Sequence, residues 1–147
     1  MFDRFTESAI RVIMDAQFEA TRLDQPHVDS EHLLLGLIAG RQGKATSALR
    51  AVGLSLPVVR AQLETLTGKG FGTTSEPPPF SDTSKKILEQ SWNEARKLND
   101  NHIGTEHLLL ALLHTPHTLA LKVLLNANVS LKELEEKLQL DAPLQQG

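Results

Sequence analysis

The sequence predicts an all-α fold: eight helices, arranged as two four-helix repeats related by an approximate two-fold axis. Three observations predict it. The first is a duplication, in which Val28-Asp29-Ser30-Glu31-His32-Leu33-Leu34-Leu35 returns as Ile103-Gly104-Thr105-Glu106-His107-Leu108-Leu109-Leu110, an offset of 75 positions (31 to 106). Phe5 with Phe80, Glu19 with Glu94, Leu23 with Leu98, Leu49 with Leu124 and Leu63 with Leu138 keep that offset without a gap. A recurring unit folds the same way each time, and two such units on one short chain pack through equivalent faces. The second observation is apolar spacing at i, i+4, i+7 and i+8, so that every periodic segment reads as helix. The third is punctuation, since cap residues and left-handed C′ residues stand at matching places in both copies.

The elements follow in order. In the first helix Phe5, Ala9, Val12, Ile13, Ala16, Ala20 and Leu23 share one face, and Thr6 precedes them as N-cap. Its copy has Ser81 as cap and Phe80, Ile87, Leu88, Ser91, Ala95 and Leu98 as the stripe. The second helix opens on this reading with Ser30 as cap, and its copy with Thr105. Each carries a glutamate in its first turn and is apolar nearly all round, which places it at the centre of its repeat. A short third helix covers about residues 44–52 and 118–127, followed by Gly53 and Asn128 in equivalent left-handed positions. Ser55 and Ser130 cap the fourth helix. Ser130 has capping-box spacing with Glu133, and Pro57 lies in an opening turn where a missing N–H does no harm.

Between the copies, about residues 68–79, glycines give way to Pro77-Pro78-Pro79. This reads as a surface connector inside one domain, because four helices alone would leave apolar faces open. The expected organisation is a single domain over residues 1–140, with repeat one at about 5–67 and repeat two at about 80–140. Residues 141–147 are expected to form a flexible tail.

Composition narrows the function. A net charge of −3 and a pI near 6.0 argue against nucleic acid or a membrane surface as partner. Zero cysteines exclude a disulfide framework and suit a reducing compartment. Asp3, Arg4 and Glu7 interrupt any signal-peptide-like run, and the longest apolar stretch, residues 33–39, is too short to span a bilayer. The expectation is a soluble intracellular domain, in the cytoplasm, or in the plastid stroma after removal of a transit peptide.

Candidate chemistry is sparse. Gly40-Arg41-Gln42-Gly43-Lys44-Ala45-Thr46 resembles a phosphate loop, but Ile38 stands where its first glycine belongs and Ala45 where Ser or Thr belongs. Six histidines invite a metal reading. Yet His27 and His102 precede the second helices, so no helix carries two histidines one turn apart around a glutamate. His32 and His107 are read instead as loop-tying residues in a first turn. No nucleophile has an oriented base. The expectation is no enzyme, no metal and no cofactor, with a metal-dependent hydrolase as a remote alternative. Glu31 and Glu106 are the residues of interest. A first-turn glutamate is favoured by the helix dipole alone, but two at symmetric places can also offer carboxylates to a cationic ligand. The reading places Arg4 and Thr6 near Glu31, and Ser81 near Glu106. A helix N-terminus with a free hydroxyl attracts phosphate, so each pairing suits a ligand bearing both a guanidinium and a phosphoryl group. Phe2 and Phe80 are candidate protein-docking aromatics. Trp92 is read as partly buried, and Arg22, Arg96 and Lys97 as a solvated face.

Met1-Phe2-Asp3-Arg4-Phe5-Thr6, the two octets, and Phe80-Ser81 with Lys85-Lys86 together resemble the N-terminal domain of ClpC-type and ClpA-type AAA+ chaperones, the double Clp N motif. The resemblance runs from Met1 to about Leu140. It implies a module that receives substrates or adaptor proteins for an ATP-driven unfoldase of the Clp protease, and the alternative of a free-standing ClpT-like accessory subunit on the Clp chaperone or protease core. In ClpC relatives it implies binding of phosphorylated arginine. By motif position Glu31 and Glu106 would supply the carboxylates, with Arg4 and Thr6 by the first phosphate and Ser81 by the second. The chain departs from the family at Asp29, where a carboxylate opposes a phosphate, and at Asp82 and Thr83, where Pro-Arg is common.

Overall fold

The computed structural model describes residues 2–68, 70 and 77–140, the last without its side chain; the predicted tail and residues 69 and 71–76 of the predicted connector lie outside the described residues. Eight helices are described: α1 (Glu7–Arg22), α2 (Ser30–Ala39), α3 (Lys44–Ala51), α4 (Leu56–Thr67), α5 (Asp82–Lys97), α6 (Thr105–Leu113), α7 (Leu119–Asn126) and α8 (Leu131–Leu140). They form two quartets with matching order and spacing, as the duplication predicts.

Local chemistry explains the helix ends. Thr6 caps α1 by accepting from the Ala9 N–H at 3.1 Å, and Ser81 caps α5 by accepting from the Ser84 N–H at 3.1 Å. After these helices the chain turns through left-handed residues at matching places, Asp24 (φ 53°) and Asn99 (φ 59°). Short polar side chains tolerate that conformation. The turn lets Gln25 N–H reach the Ala20 carbonyl and Asp100 N–H reach that of Ala95, both at 2.9 Å. Gly53 (φ 91°) and Asn128 (φ 61°) end the third helices as expected. Ser130 caps α8 by accepting from the Glu133 N–H, whereas Ser55 holds the N-cap position of α4 without a side-chain capping bond.

α2 and α6 are the central helices. Leu34, Leu35, Leu109 and Ala111 are wholly buried, and α1 packs along α2 as α5 packs along α6. The α1–α2 approach is so close that a Cβ at Gly36 would lie 2.5 Å from the Val12 carbonyl oxygen.

The two quartets interlock through their lead segments. Phe5 forms a parallel bridge with Ile103, and Phe80 one with Val28. Ile103 N–H donates to the Arg4 carbonyl at 2.7 Å, and Thr6 N–H donates to the Ile103 carbonyl at 2.9 Å. The symmetric bonds run from Val28 N–H to Pro79 at 2.8 Å and from Ser81 N–H to Val28 at 2.9 Å. Each repeat's leading residues therefore lie against the other repeat's central helix.

Crossing also corrects the predicted caps of the central helices. Ser30 and Thr105 are the first helical residues, and the N-caps are Asp29 and Gly104. The two hydroxyls serve the opposite repeat: Thr105 Oγ1 accepts from the Ala45 N–H of α3 at 3.2 Å, and Ser30 Oγ from the Ala120 N–H of α7 at 3.3 Å. Their own helices are closed by histidine instead. His32 Nδ1 accepts from the Asp29 N–H at 2.9 Å, and His107 Nδ1 from the Gly104 N–H at 2.8 Å. This is the reciprocal arm of a capping box with imidazole in the usual glutamate's place.

Two buried carboxylates at equivalent positions are satisfied differently. Glu19 accepts from Arg60 Nε at 3.0 Å and Arg22 Nε at 3.1 Å. In repeat two the counterpart of Arg60 is Glu135, so a second carboxylate faces Glu94, and His114 stands between them, 2.8 Å from Glu94 and 2.7 Å from Glu135. Burial alone would lower the imidazole's pKa, but its bonds to the two carboxylates outweigh that and the net shift is upward.

Truncating the centre tests the packing. Leu34→Ala or Leu109→Ala should each lower unfolding free energy by about 2–5 kcal/mol in urea melts; losses under about 1 kcal/mol at both would contradict the central placement. The histidine bridge predicts a pH signature. A folded-state pKa raised above the unfolded value near 6.5 means that the bridge's stability is complete below that pH and is lost as pH rises through the folded pKa. The Tm deficit of His114→Gln should therefore be larger at pH 5.5 than at pH 8.5, and an equal deficit at both would refute the bridge.

Candidate functional site

Glu31 and Glu106 both lie in the first turn of a central helix, and both are partly buried. Their surroundings are not those the sequence suggested. The backbone crossing takes Thr6 to the segment that opens α6, beside Glu106, and takes Ser81 to the segment that opens α2, beside Glu31. The predicted grouping of Arg4 and Thr6 with Glu31, and of Ser81 with Glu106, is thus reversed. The reason is the parallel pairing of each lead segment with the other repeat, which no within-repeat pattern reveals.

Each member then has its own situation. Arg4 is exposed and lies over the Trp92 ring, its guanidinium carbon 4.2 Å from the ring centroid, within cation–π range. Thr6 Oγ1 is occupied in capping α1. Ser81 does more than cap α5: its hydroxyl also lies 2.9 Å from Asp29 Oδ1, to which it can donate. Ser84 Oγ donates to the Val28 carbonyl at 2.8 Å, pinning α5 to the same segment. Phe2 meets Phe5 edge-on at 5.1 Å between ring centroids and Phe80 at 6.3 Å, so Phe2 and Phe80 form a half-buried aromatic cluster over the crossing. Trp92 is partly buried as expected. Of the predicted solvated cations, Arg22 pairs with Glu19 and Glu64, and Lys97 with Glu94.

The two carboxylates differ electrostatically. Glu106 folds back over Gly104, so closely that a Cβ there would strike it, and pairs with Lys44 Nζ at 3.5 Å. Glu31 has no basic side chain within ion-pair distance among the described residues. Burial, reinforced by Asp29, pushes its carboxyl up to about 7 against the opposing bonds from its backbone and Ser30. Beside it, burial pulls His32 down to about 4, although Asp29 and Glu19 oppose the shift. His32 is therefore neutral at pH 7, which suits Nδ1 as an acceptor.

Two clefts flank these elements. One of about 360 Å³ is lined by Arg4, Lys85, Leu88, Glu89 and Trp92, among others. Another, of about 670 Å³, lies between α1, α4 and the α2–α3 turn, with Arg11, Asp15, Arg41 and Arg60 on its walls. Phe18 lines the second cleft and Met14 lies one turn before it on α1; both side chains are more than half exposed. Off the apolar stripe of α1, neither gave a sequence signal. Among the described residues no group of three or more His, Asp or Glu side chains is placed to hold a metal ion, and no helix is long and apolar enough to cross a membrane.

Comparison with known proteins agrees with this architecture. The family model described as the Clp repeat (R) N-terminal domain matches residues 4–127 and 79–146. The ClpA homolog of the Clp protease ATP-binding subunit from Guillardia theta is 44% identical over 134 residues, covering 91% of this chain and 16% of that protein. A chloroplastic counterpart from Brassica napus is 46% identical over 126 residues, covering 86% of this chain and 14% of that protein. The chain thus spans about a sixth of the length of such relatives. Among solved structures, the N-terminal domain of the chaperone ClpD from Arabidopsis thaliana superimposes with a TM-score of 0.82 at 28% identity, over 95% of this chain and 98% of that one. The N-domain of ClpV in complex with a VipB peptide shares the fold at 19% identity, with a TM-score of 0.71 over 94% and 89% of the two chains.

The Glu31 carboxyl carries a checkable consequence. A folded pKa near 7 against an unfolded value near 4.5 means that the fold disfavours the ionised form, so no penalty acts below about pH 4.5 and the full penalty acts above about pH 7. Glu31→Gln should gain stability relative to the parent as pH rises from 5 to 8, by up to about 3 kcal/mol. A pH-independent difference in Tm would show that the carboxyl titrates normally.

Proposed function

This chain belongs to the Clp repeat N-terminal domain family, and from that premise we propose that it is a protein-docking module, receiving substrates or adaptor proteins for a ClpC-type ATP-dependent unfoldase of the Clp protease. The domain is not an enzyme. The observation that carries the reading is the crossed constellation: a first-turn carboxylate on each central helix stands beside the capped N-terminus of the opposite repeat's lead helix. Thr6 bonds to Ile103 in the segment that leads into Glu106, and Ser81 bonds to Val28 in the segment that leads into Glu31. A carboxylate accepts two N–H bonds from a guanidinium, and a helix N-terminus favours a phosphoryl group. Phosphorylated arginine on a client carries both. Phe2 and Phe80, half-buried over the crossing, give a docking polypeptide apolar surface nearby. In the related ClpV structure an N-domain of this fold holds a peptide, which supports peptide docking as a use of the fold. The compartment proposed is the cytoplasm or the plastid stroma, in line with the chloroplastic relatives.

Calorimetric titration with a phosphoarginine-containing peptide tests the reading. Binding at millimolar or tighter dissociation constant is expected, and Glu31→Ala combined with Glu106→Ala should abolish it. Undiminished binding by that double variant would reject the assignment of the carboxylates.

A further inference from the structure

We propose that Lys44 and Asp29 are built-in surrogates for the two ends of a charged ligand: each fills one half of one twin site and so limits how tightly that site takes a ligand from outside. The inference rests on the docking reading of the twin sites given above.

The cationic surrogate is Lys44. It is the first residue of α3, whose N-terminus is pinned to the opposite repeat by the Thr105 hydroxyl, which accepts from Ala45 N–H at 3.2 Å. That pinning lays the ammonium 3.5 Å from Glu106 Oε2, where the guanidinium of a ligand would sit. The symmetric pinning, Ser30 Oγ on Ala120 N–H, brings the first residue of α7 to the same relation with Glu31. That residue is Leu119, which has no charge to offer. Glu31 is therefore left without an internal cation among the described residues.

The anionic surrogate is Asp29. Its carboxylate lies 2.9 Å from the Ser81 hydroxyl at the N-terminus of α5, where the phosphoryl of a ligand would sit. The counterpart of Asp29 is Gly104, which has no side chain. Among the described residues no carboxylate therefore bonds to the Thr6 hydroxyl as Asp29 does to that of Ser81, and Glu106, folded back over Gly104, is engaged by Lys44. Each site thus keeps one half open. The Glu31 and Ser81 site offers its cation-accepting half, and the Glu106 and Thr6 site offers its anion-accepting half. Neither offers both.

The repeat supplies its own reversals, Lys44→Leu after Leu119 and Asp29→Gly after Gly104. Asp29→Asn, which keeps a capping side chain while removing the charge, separates electrostatics from any loss of fold. Amide NMR of the whole chain at fixed ionic strength, with methylguanidinium and inorganic phosphate as separate probes, reads each half. In the parent, methylguanidinium should shift amides around Glu31 and not Glu106, and phosphate should shift residues 6–9 and not 81–84. Lys44→Leu should open Glu106 to methylguanidinium, and Asp29→Asn and Asp29→Gly should open residues 81–84 to phosphate. Free phosphoarginine should bind each variant roughly fivefold more tightly than the parent, on the scale of one part-exposed ion pair. Equal responses of Glu106 to methylguanidinium in the parent and Lys44→Leu, or of residues 81–84 to phosphate in the parent and Asp29→Asn, would overturn the proposal. If the two probes behave as stated while phosphoarginine binds no form, the surrogates stand and the docking ligand has been misread.

Discussion

The constraint on which the rest of the structure depends is the exchange of backbone bonds between the lead segment of one repeat and the loop before the central helix of the other. Arg4 and Thr6 bond to Ile103, and Pro79 and Ser81 bond to Val28, with nearly equal lengths in the two copies. These amides are taken up by the opposite repeat, so neither lead segment is satisfied within its own quartet. The hydroxyls of Thr105 and Ser30 extend the exchange to the N-termini of α3 and α7. The starts of α1, α3, α5 and α7 are thereby tied to residues of the other half. The result is one interlocked body in which the starts of α1 and α5 face the first turns of α6 and α2.

Duplication preserved this frame while the charges within it diverged. The buried glutamate of the lead helix is retained, since a carboxylate removed from water demands charged or hydrogen-bonding partners. Those partners have changed from two arginines around Glu19 to His114, Gln90 and Lys97 around Glu94. The fourth-helix position changed sign from Arg60 to Glu135, and an imidazole between the two carboxylates reconciles them. The same pattern recurs at the candidate sites, where Lys44 opposes Leu119 and Asp29 opposes Gly104 across the pseudo-symmetry. Apolar positions are held by packing, whereas partly exposed positions at helix starts were free to vary. Polar divergence has therefore made two sites of one backbone geometry electrically distinct.

Much of this was legible in the chain itself. The duplicated octets, the apolar stripes, the caps at Thr6 and Ser81, and the left-handed residues Gly53 and Asn128 all depend on contacts within a few residues, which local pattern records faithfully. The central position of α2 and α6 followed from their lack of a polar face. Ser30 and Thr105 were misread as caps of their own helices because residue type shows that a hydroxyl can cap but not which helix it reaches. The neighbours of Glu31 and Glu106 were assigned to the wrong repeats for a related reason. A pattern repeated at a fixed offset cannot say whether each lead segment pairs with its own half or with its twin.

Sequence alone thus determined the helices, their duplication and the buried face of each, because periodicity and capping are encoded at separations of three or four residues. Tertiary structure decided which helix start each carboxylate faces, which hydroxyls are already engaged, and that Lys44 stands on Glu106 while Asp29 stands on Ser81. Those contacts join residues that lie 52 or more positions apart in the chain. Only the closure of one quartet onto the other brings such residues within reach.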